Sequence, residues 1–370
     1  MMWEMVKFLD VVKDITGGNK KFPNSDYSEK GTIPIIDQGD GLIGGYTDSD
    51  EIVKREKPVI VFGDHTKALK YVDFDFCLGA DGVKVLQPNE LLDSKFLYYY
   101  FGTIQLPNVG YSRHFKFLKE IEIPLPPLST QQKIATILEK ADALRRKDQA
   151  LLKKYDELAQ AIFIDMFGDP VKNEMGWEVR KLGEVCDKIT DGTHFSPPNQ
   201  TDGIPYITAK HVRKDKVDFY SNPTYISKEH HKEIYSRCTP VKGDVLYIKD
   251  GATTGIAAVN EYDFEFSMLS SLALIKPKIK TLNGYYLVAW LNNENVKEDY
   301  IRSYMAGAAI RRFTLDKLKR FELLVPPVEL QNSFELVVKN LFAQKQKLLN
   351  NDSESLFQSL LQQAFKGELV

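Results

Sequence analysis

Leu118-Lys119-Glu120-Ile121-Glu122-Ile123-Pro124-Leu125-Pro126-Pro127 returns 200 positions later as Leu318-Lys319-Arg320-Phe321-Glu322-Leu323-Leu324-Val325-Pro326-Pro327, and Gln131 returns as Gln331. The echo extends backwards. Leu9-x-x-Val12-x-Asp14 with Thr16-x-Gly18 recurs as Leu182-x-x-Val185-x-Asp187 with Thr190-x-Gly192, and Gly31-Thr32-Ile33-Pro34-Ile35-Ile36 recurs as Gly203-Ile204-Pro205-Tyr206-Ile207. The period is far longer than that of any solenoid repeat, so the chain reads as two copies of one large unit. The offset is 173 at the first anchor and 200 at the last, which places about 27 extra residues inside the second copy. The ends of the unit are held while its middle varies.

Each copy has two parts. Residues 1–122 and 171–321 are rich in Gly, Pro, Asn, Asp and β-branched runs such as Pro58-Val59-Ile60-Val61-Phe62-Gly63 and Gly243-Asp244-Val245-Leu246-Tyr247-Ile248, the pattern of mixed α/β domains with short strands. In the remaining parts, 123–170 and 322–370, the pattern turns helical past each Pro-Pro pair. Ser129-x-x-Gln132 predicts a capping box. Ile134, Ile137, Ala141, Leu144, Leu151, Tyr155, Leu158 and Ile162 then follow a heptad stripe interrupted at Asp148. In the second copy Phe334, Val337, Leu341 and Leu348 keep one register, and Leu349, Leu356 and Leu360 imply a slip near Asn350-Asn351-Asp352. Leu128 to Phe167 would make a helix of about 60 Å. Its expected partner is the second helix, in an antiparallel coiled coil with pseudo-twofold symmetry. The fold class expected is α+β, two globular domains separated by two long helices.

Composition narrows the function. The chain has 370 residues, 43 % hydrophobic and 27 % charged, with net charge −2, so it is an ordinary globular protein with no bulk excess of base. Cys77, Cys186 and Cys238 are scattered and odd in number, which fits neither a disulfide framework nor zinc spacing. With no stretch near the ~20 apolar residues of a membrane span, a cytoplasmic location without membrane contact is expected.

Catalytic motifs are missing where they would be sought. Pro124-Leu125-Pro126-Pro127 lacks the amide or acid of an amino-methyltransferase motif, and Gly39-Asp40-Gly41-Leu42-Ile43-Gly44-Gly45 lacks the Lys-Ser/Thr of a Walker A loop and reads as a turn. His230-His231, between Glu229 and Glu233, has no second ligand cluster at metal spacing and reads as solvated surface. No metal and no bound cofactor are expected. Two domains on a stiff rod form a ruler, and the ligand that calls for one is duplex DNA, whose half-sites recur about every 34 Å. Unequal middles predict an asymmetric site in two parts around an unread spacer.

Over essentially its whole length the chain resembles the specificity (S) subunits of Type I restriction–modification systems. The resemblance rests on the two-unit plan, on Asp191-Gly192-Thr193-His194-x-x-Pro197 leading to Gly203-Ile204-Pro205, on Gly243-Asp244-Val245-Leu246 followed by Gly251-Ala252-x-x-Gly255, and on 307–327 running into a helix. The family's Pro-Pro-x-x-Glu-Gln signature is altered at Thr130 and Leu330. The resemblance implies two target-recognition domains, a helical spacer that docks two methyltransferase (M) subunits, and restriction/translocase (R) subunits joining the complex. S-adenosylmethionine would belong to the M subunit, and the S subunit would do no chemistry.

Reading bases requires side chains that pair with base edges, with Lys and Arg on phosphates. In the first domain these are Asn19, Lys20, Lys21, His65, Thr66, Lys67, Tyr111, Ser112, Arg113 and His114. In the second they are His194, Lys210, His211, Arg213, Lys214, Thr253, Thr254, Arg311 and Arg312. For each, the plain alternative is an exposed loop residue touching nothing, and Asp191-Gly192-Thr193 also reads as a simple turn. Arg145, Arg146, Lys153 and Lys154, outward on the first helix, are expected to face water more than M. Two other readings stay open: the recognition part of a single-chain restriction or methylation enzyme, whose catalytic region would need several hundred further residues, and a coiled-coil adaptor that binds only protein.

Overall fold

A computed structural model describes residues 3–80, 82–107, 112–214, 216–305 and 313–370. The chain forms two compact units, 1–150 with 351–370, and 151–350.

The units repeat one strand plan. In the first, a four-stranded sheet has the order Val12–Asp14, Val83–Pro88, Val59–Gly63, Leu69–Val72, with every pair antiparallel. The second has the order Cys186–Asp191, Leu272–Pro277, Val245–Ile248, Ala257–Val259, again antiparallel throughout. The central strands Val59–Gly63 and Val245–Ile248 are buried at every residue, which is why they read as unbroken apolar runs. A smaller sheet in each unit is built round the second anchor, Ile33–Ile36 in one and Ile204–Ile207 in the other. Ile35 pairs with Gly45 across the 37–44 loop, so the glycine-rich stretch is a hairpin connection.

The first and third anchors meet in space. Met5–Lys7 pairs antiparallel with Glu122–Pro124, and Glu178–Lys181 with Glu322–Val325. The expected domain boundaries after 122 and 321 therefore fall at strands that tie each domain to its own helix. Tyr100 Oη donates to the Glu122 carbonyl at 2.7 Å, and Tyr300 Oη to the Glu322 carbonyl at 2.7 Å.

The long helix spans Leu128–Phe167 as read from the sequence. Its start at Leu128 puts Ser129 inside the first turn, and the capping box expected with Gln132 does not form. Gln131, fully buried, does the joining instead. Its Oε1 accepts from the Asp93 N–H at 2.8 Å and its Nε2 donates to the Leu91 and Pro126 carbonyls, both at 2.9 Å. Gln331 repeats this with the Asn283 N–H at 2.8 Å and the Thr281 and Pro326 carbonyls at 3.1 and 2.7 Å. Asp93 and Asn283 are themselves N-caps, of the helices Ser94–Thr103 and Gly284–Leu291. One amide thus fixes three backbone groups where two helices and a Pro-Pro turn converge.

The heptad assignment is corrected in detail. Ile134 and Ala141 are buried and Ile137, Leu151, Tyr155, Ile162, Leu341, Leu348 and Leu360 half-buried, but Leu144, Leu158, Val337 and Leu356 are exposed. Leu138, Phe163, Phe167, Val338, Phe357, Leu361 and Ala364 are the deeply buried positions. The reason is that each part of the helical region packs on its own globular core as well as on a helix, so burial follows the 3.6-residue face and not a heptad seam. In the first unit Ile134, Leu138 and Ala141 join Phe357, Leu361 and Ala364 in one core with Phe96 and Phe101. In the second, Phe163 and Phe167 pack round Tyr286 and Phe334, with ring centroids 4.7 to 5.7 Å apart.

The sequence slip is a true break. One helix, Val328–Asn350, ends, and Ser353–Lys366 begins after Asp352, which sits at φ +45° and caps the Ser355 N–H at 3.1 Å. Pairs within each unit run in opposite senses: Asp156 meets Lys345 at 2.7 Å while Phe163 meets Phe334, and Arg145 meets Glu354 and Phe357. Arg145, expected to face water, is half-buried over the Phe357 ring and shares the buried Asp142 carboxylate with Arg146. Lys153 and Lys154 are exposed.

Gln131→Ala should cost about 2–4 kcal/mol in urea unfolding, because it leaves buried backbone groups unpaired. Gln131→Glu should cost as much, since a carboxylate cannot donate to two carbonyls, whereas exposed Gln132→Ala should stay within about 0.5 kcal/mol.

Candidate nucleic-acid interface

At one end of the first unit's larger sheet several loops converge. Thr66 Oγ1 donates to the Gln38 carbonyl at 2.6 Å and the Asp64 N–H to the Gly82 carbonyl at 2.6 Å. Gly82 has φ +70°, and a Cβ there would lie 2.7 Å from both the Gln38 amide oxygen and the His65 ring. Glycine is what lets these loops close on one another. Asp64, itself buried, accepts from the Phe115 N–H through its carboxylate at 2.7 Å.

The second unit builds the same corner round a residue of opposite charge. The Lys249 N–H donates to Ser271 and its carbonyl accepts from Phe313, as Asp64 does with Gly82 and His114. The Lys249 ammonium is buried between Asp191 and Asp250, at 3.5 and 3.0 Å. Asp191-Gly192-Thr193 is not a simple turn. It prolongs the Cys186–Asp191 strand, with the Thr193 N–H on the Met268 carbonyl at 2.9 Å, and a Cβ on Gly192 would collide with that carbonyl.

The expected DNA-reading residues divide by environment. Lys20, Thr66, Arg113, His194, Arg213, Lys214 and Thr253 are exposed on loops, Lys21 is exposed in the short strand Lys21–Phe22 and Lys210 in the 3-10 turn Ala209–His211, and His65, Lys67 and Ser112 are half-buried. Lys67 holds φ +62° and turns its ammonium onto the Pro107 carbonyl at 3.2 Å. Tyr111, Arg311 and Arg312 lie outside the described residues.

Four of the expected residues are spent inside the fold. Asn19 bonds the Ile15 carbonyl and the Lys54 N–H. His114 is 1 % exposed, with Nδ1 3.0 Å from the Asp64 carbonyl. Thr254 is buried and donates to the Gly251 carbonyl at 2.7 Å. His211, fully buried, accepts at Nδ1 from the Thr208 N–H at 2.9 Å and meets the Asn222 carbonyl through Nε2 at 2.8 Å. His231, expected on a solvated surface, is also buried, with Nδ1 3.0 Å from Ser267 Oγ and Nε2 3.5 Å from Glu265.

Outside the expected set, Tyr220 stands 70 % exposed on the 208–244 connection, which is longer than its counterpart 37–58 in the first unit. The signal was present as an aromatic residue in a basic stretch of the non-shared middle. Among the described residues no group of His, Cys, Asp or Glu is placed to hold a metal, and no helix is long and apolar enough to cross a membrane. All three cysteines are free and buried, and burial pushes the Cys186 and Cys238 thiols up to about 12.

Two lobes of one strand plan, each with a sheet-end loop cluster of its own chemistry, define a duplicated recognition protein. Residues 2–154 and 174–366 each match the Type I restriction modification DNA specificity domain, and the chain belongs to that family. The family is defined by recognition of DNA sequence and not by catalysis, as expected of this chain. Among curated relatives, it is 25 % identical over 322 residues to the Type I restriction enzyme MjaIX specificity subunit of Methanocaldococcus jannaschii, covering 78 % of this chain and 71 % of that one. It is 24 % identical over 355 residues to the putative type I restriction enzyme specificity subunit S.HindORF215P of Haemophilus influenzae, covering 88 % and 84 %. The S subunit of a Type I restriction–modification system from M. genitalium shares the fold at a TM-score of 0.65 and 15 % identity, over 98 % of this chain and 96 % of that one.

His211 gives a pH prediction. Burial first, then the nearby Lys210 and Arg213 charges, hold its folded pKa below the ordinary 6.5. Below 6.5 the unfolded chain therefore takes up a proton that the folded chain refuses, so stability is full above that value and falls as pH drops through it. Denaturation of wild type and His211→Asn between pH 7.5 and 5.5 should show this slope only in wild type.

Proposed function

We propose that this chain is the non-catalytic specificity subunit of a cytoplasmic Type I restriction–modification complex, reading a bipartite, asymmetric duplex site. The observation that carries it is the duplication: one strand plan and one glutamine joint in both units, with loop clusters that differ in charge and length. Like joints suit like partners, and unlike loops suit unlike half-sites. The 1–122 and 171–321 domains each take one half-site. The long helix and its C-terminal partners act as an antiparallel coiled-coil spacer and as the docking surface for two M subunits, with R subunits completing the restriction complex. S-adenosylmethionine is then bound by M. The exposed basic residues Lys20, Lys21, Arg113, Arg213 and Lys214 contact phosphates and base edges.

The chain co-expressed with its M subunit should select, from a random duplex library, two short half-sites separated by a fixed unread spacer. A single continuous motif would refute the reading, and absence of any selected duplex would favour the protein-only adaptor. Turnover of labelled S-adenosylmethionine by the chain alone would establish the single-chain enzyme instead. Arg213→Ala with Lys214→Ala should weaken binding to all sequences and flatten the salt dependence by about one to two counterions.

A further inference from the structure

The repeats part company after the strands Ile33–Ile36 and Ile204–Ile207. The connection to the next strand of the larger sheet runs from 37 to 58 in the first unit and from 208 to 244 in the second. If the half-sites differ, the device that reads the second belongs in what the second unit adds.

The longer connection contains a pinned turn at 217–222. The Asp218 N–H donates to the His211 carbonyl at 2.7 Å, and Ser221 Oγ to Asp218 Oδ2 at 2.8 Å. Tyr262 Oη accepts from the Phe219 N–H at 3.0 Å and donates to the Val217 carbonyl at 2.9 Å. His211 holds the far end through Asn222 at 2.8 Å. Phe219 points inward, 1 % exposed, over an aromatic floor in which Tyr262 and Phe264 stack at 4.6 Å. Tyr220 rests edge-on against those two rings, at 6.0 and 6.4 Å, and still leaves 70 % of its surface in solvent. This part-buried network fixes the turn and presents the Tyr220 ring outward.

The charge of the segment says which partner. From 208 to 232 there are six Lys or Arg against three Asp or Glu, in a chain whose net charge is −2. Lys210, bonded to Asn222 at 3.1 Å, and Lys216, 3.5 Å from Asp218, flank the turn. A rigid aromatic tip between lysines fits a groove bordered by phosphates, where a ring can contact a base edge or wedge at a base step.

Building on the DNA-specificity reading, we propose that Tyr220 is a base-contacting, specificity-determining residue of the second half-site, with Lys210 and Lys216 on the neighbouring phosphates. Its partner is duplex DNA.

The test uses the complex with M subunits and three duplexes: the selected bipartite site, the site with its second half scrambled, and the site with its first half scrambled. Identifying which half belongs to the second unit uses a chimera carrying another subunit's 171–321 region. Tyr220→Ala should lower affinity for the intact site ten- to a hundredfold and leave affinity for the scrambled second half unchanged. Tyr220→Phe should keep discrimination, since the ring carries the contact. Lys210→Ala with Lys216→Ala should weaken all three duplexes alike, with a salt slope shallower by about two. Thermal unfolding of Tyr220→Ala should match wild type, because the side chain is mostly exposed. Wild-type discrimination by Tyr220→Ala overturns the proposal, as does loss of M co-purification, which would make the turn a protein contact. Failure of the wild-type complex to tell any duplex from another defeats the wider reading instead.

Discussion

A single buried amide at the root of each helical region sets the geometry of its repeat. A helix start leaves backbone N–H groups without partners, and a Pro-Pro turn supplies carbonyls with no N–H beside them. Gln131 and Gln331 meet both needs, holding the Pro126 or Pro326 carbonyl with one end and the cap of a neighbouring helix with the other. A side chain with a donor and an acceptor is required, which is why Gln is found at both places while the residue before it differs, Thr130 in one and Leu330 in the other. The direction in which each helix leaves its domain follows from this joint and from the strand pairs Met5–Lys7 with Glu122–Pro124 and Glu178–Lys181 with Glu322–Val325.

The duplication and the 40-residue helix were legible because their signals are long: anchors matching in the same order at both ends of the unit, and an apolar stripe over many turns. What the stripe packs on was not legible. A heptad reading assumes one narrow seam, and it placed Leu144 and Leu158 inward. The wider buried face takes in Leu138, Phe163 and Phe167, since a globular core lies against the helix as well. The acidic residue Asp142 is buried as well, a choice that makes sense only when Arg145 and Arg146 are seen to close on it.

The candidate interface was legible in kind and not in membership. A side chain able to pair with a base edge is equally able to satisfy a backbone group, and His114, His211, Asn19 and Thr254 do the latter. Asn19 Nδ2 and Thr254 Oγ1 each bond a carbonyl three or four residues away, and such spacing is a usable warning, although Asn19 Oδ1 also reaches Lys54, 35 residues on. For His114 the partner Asp64 is 50 residues away, and only the folded chain reveals it. The same corner holds a carboxylate in one unit and an ammonium paired with two carboxylates in the other, Asp64 and Lys249, so like backbones carry unlike side chains.

The break at Asp352 divides the last helices between the units, and it bears on the order of events during synthesis. The second unit is continuous, 151–350, and every residue of it is available once position 350 has left the ribosome. The first unit is not. Its core takes Phe357, Leu361 and Ala364 from the far end of the chain, against Phe96 and Ile134. The domain translated first is thus the domain completed last, and through most of elongation its apolar face stays unfinished and open to misassociation.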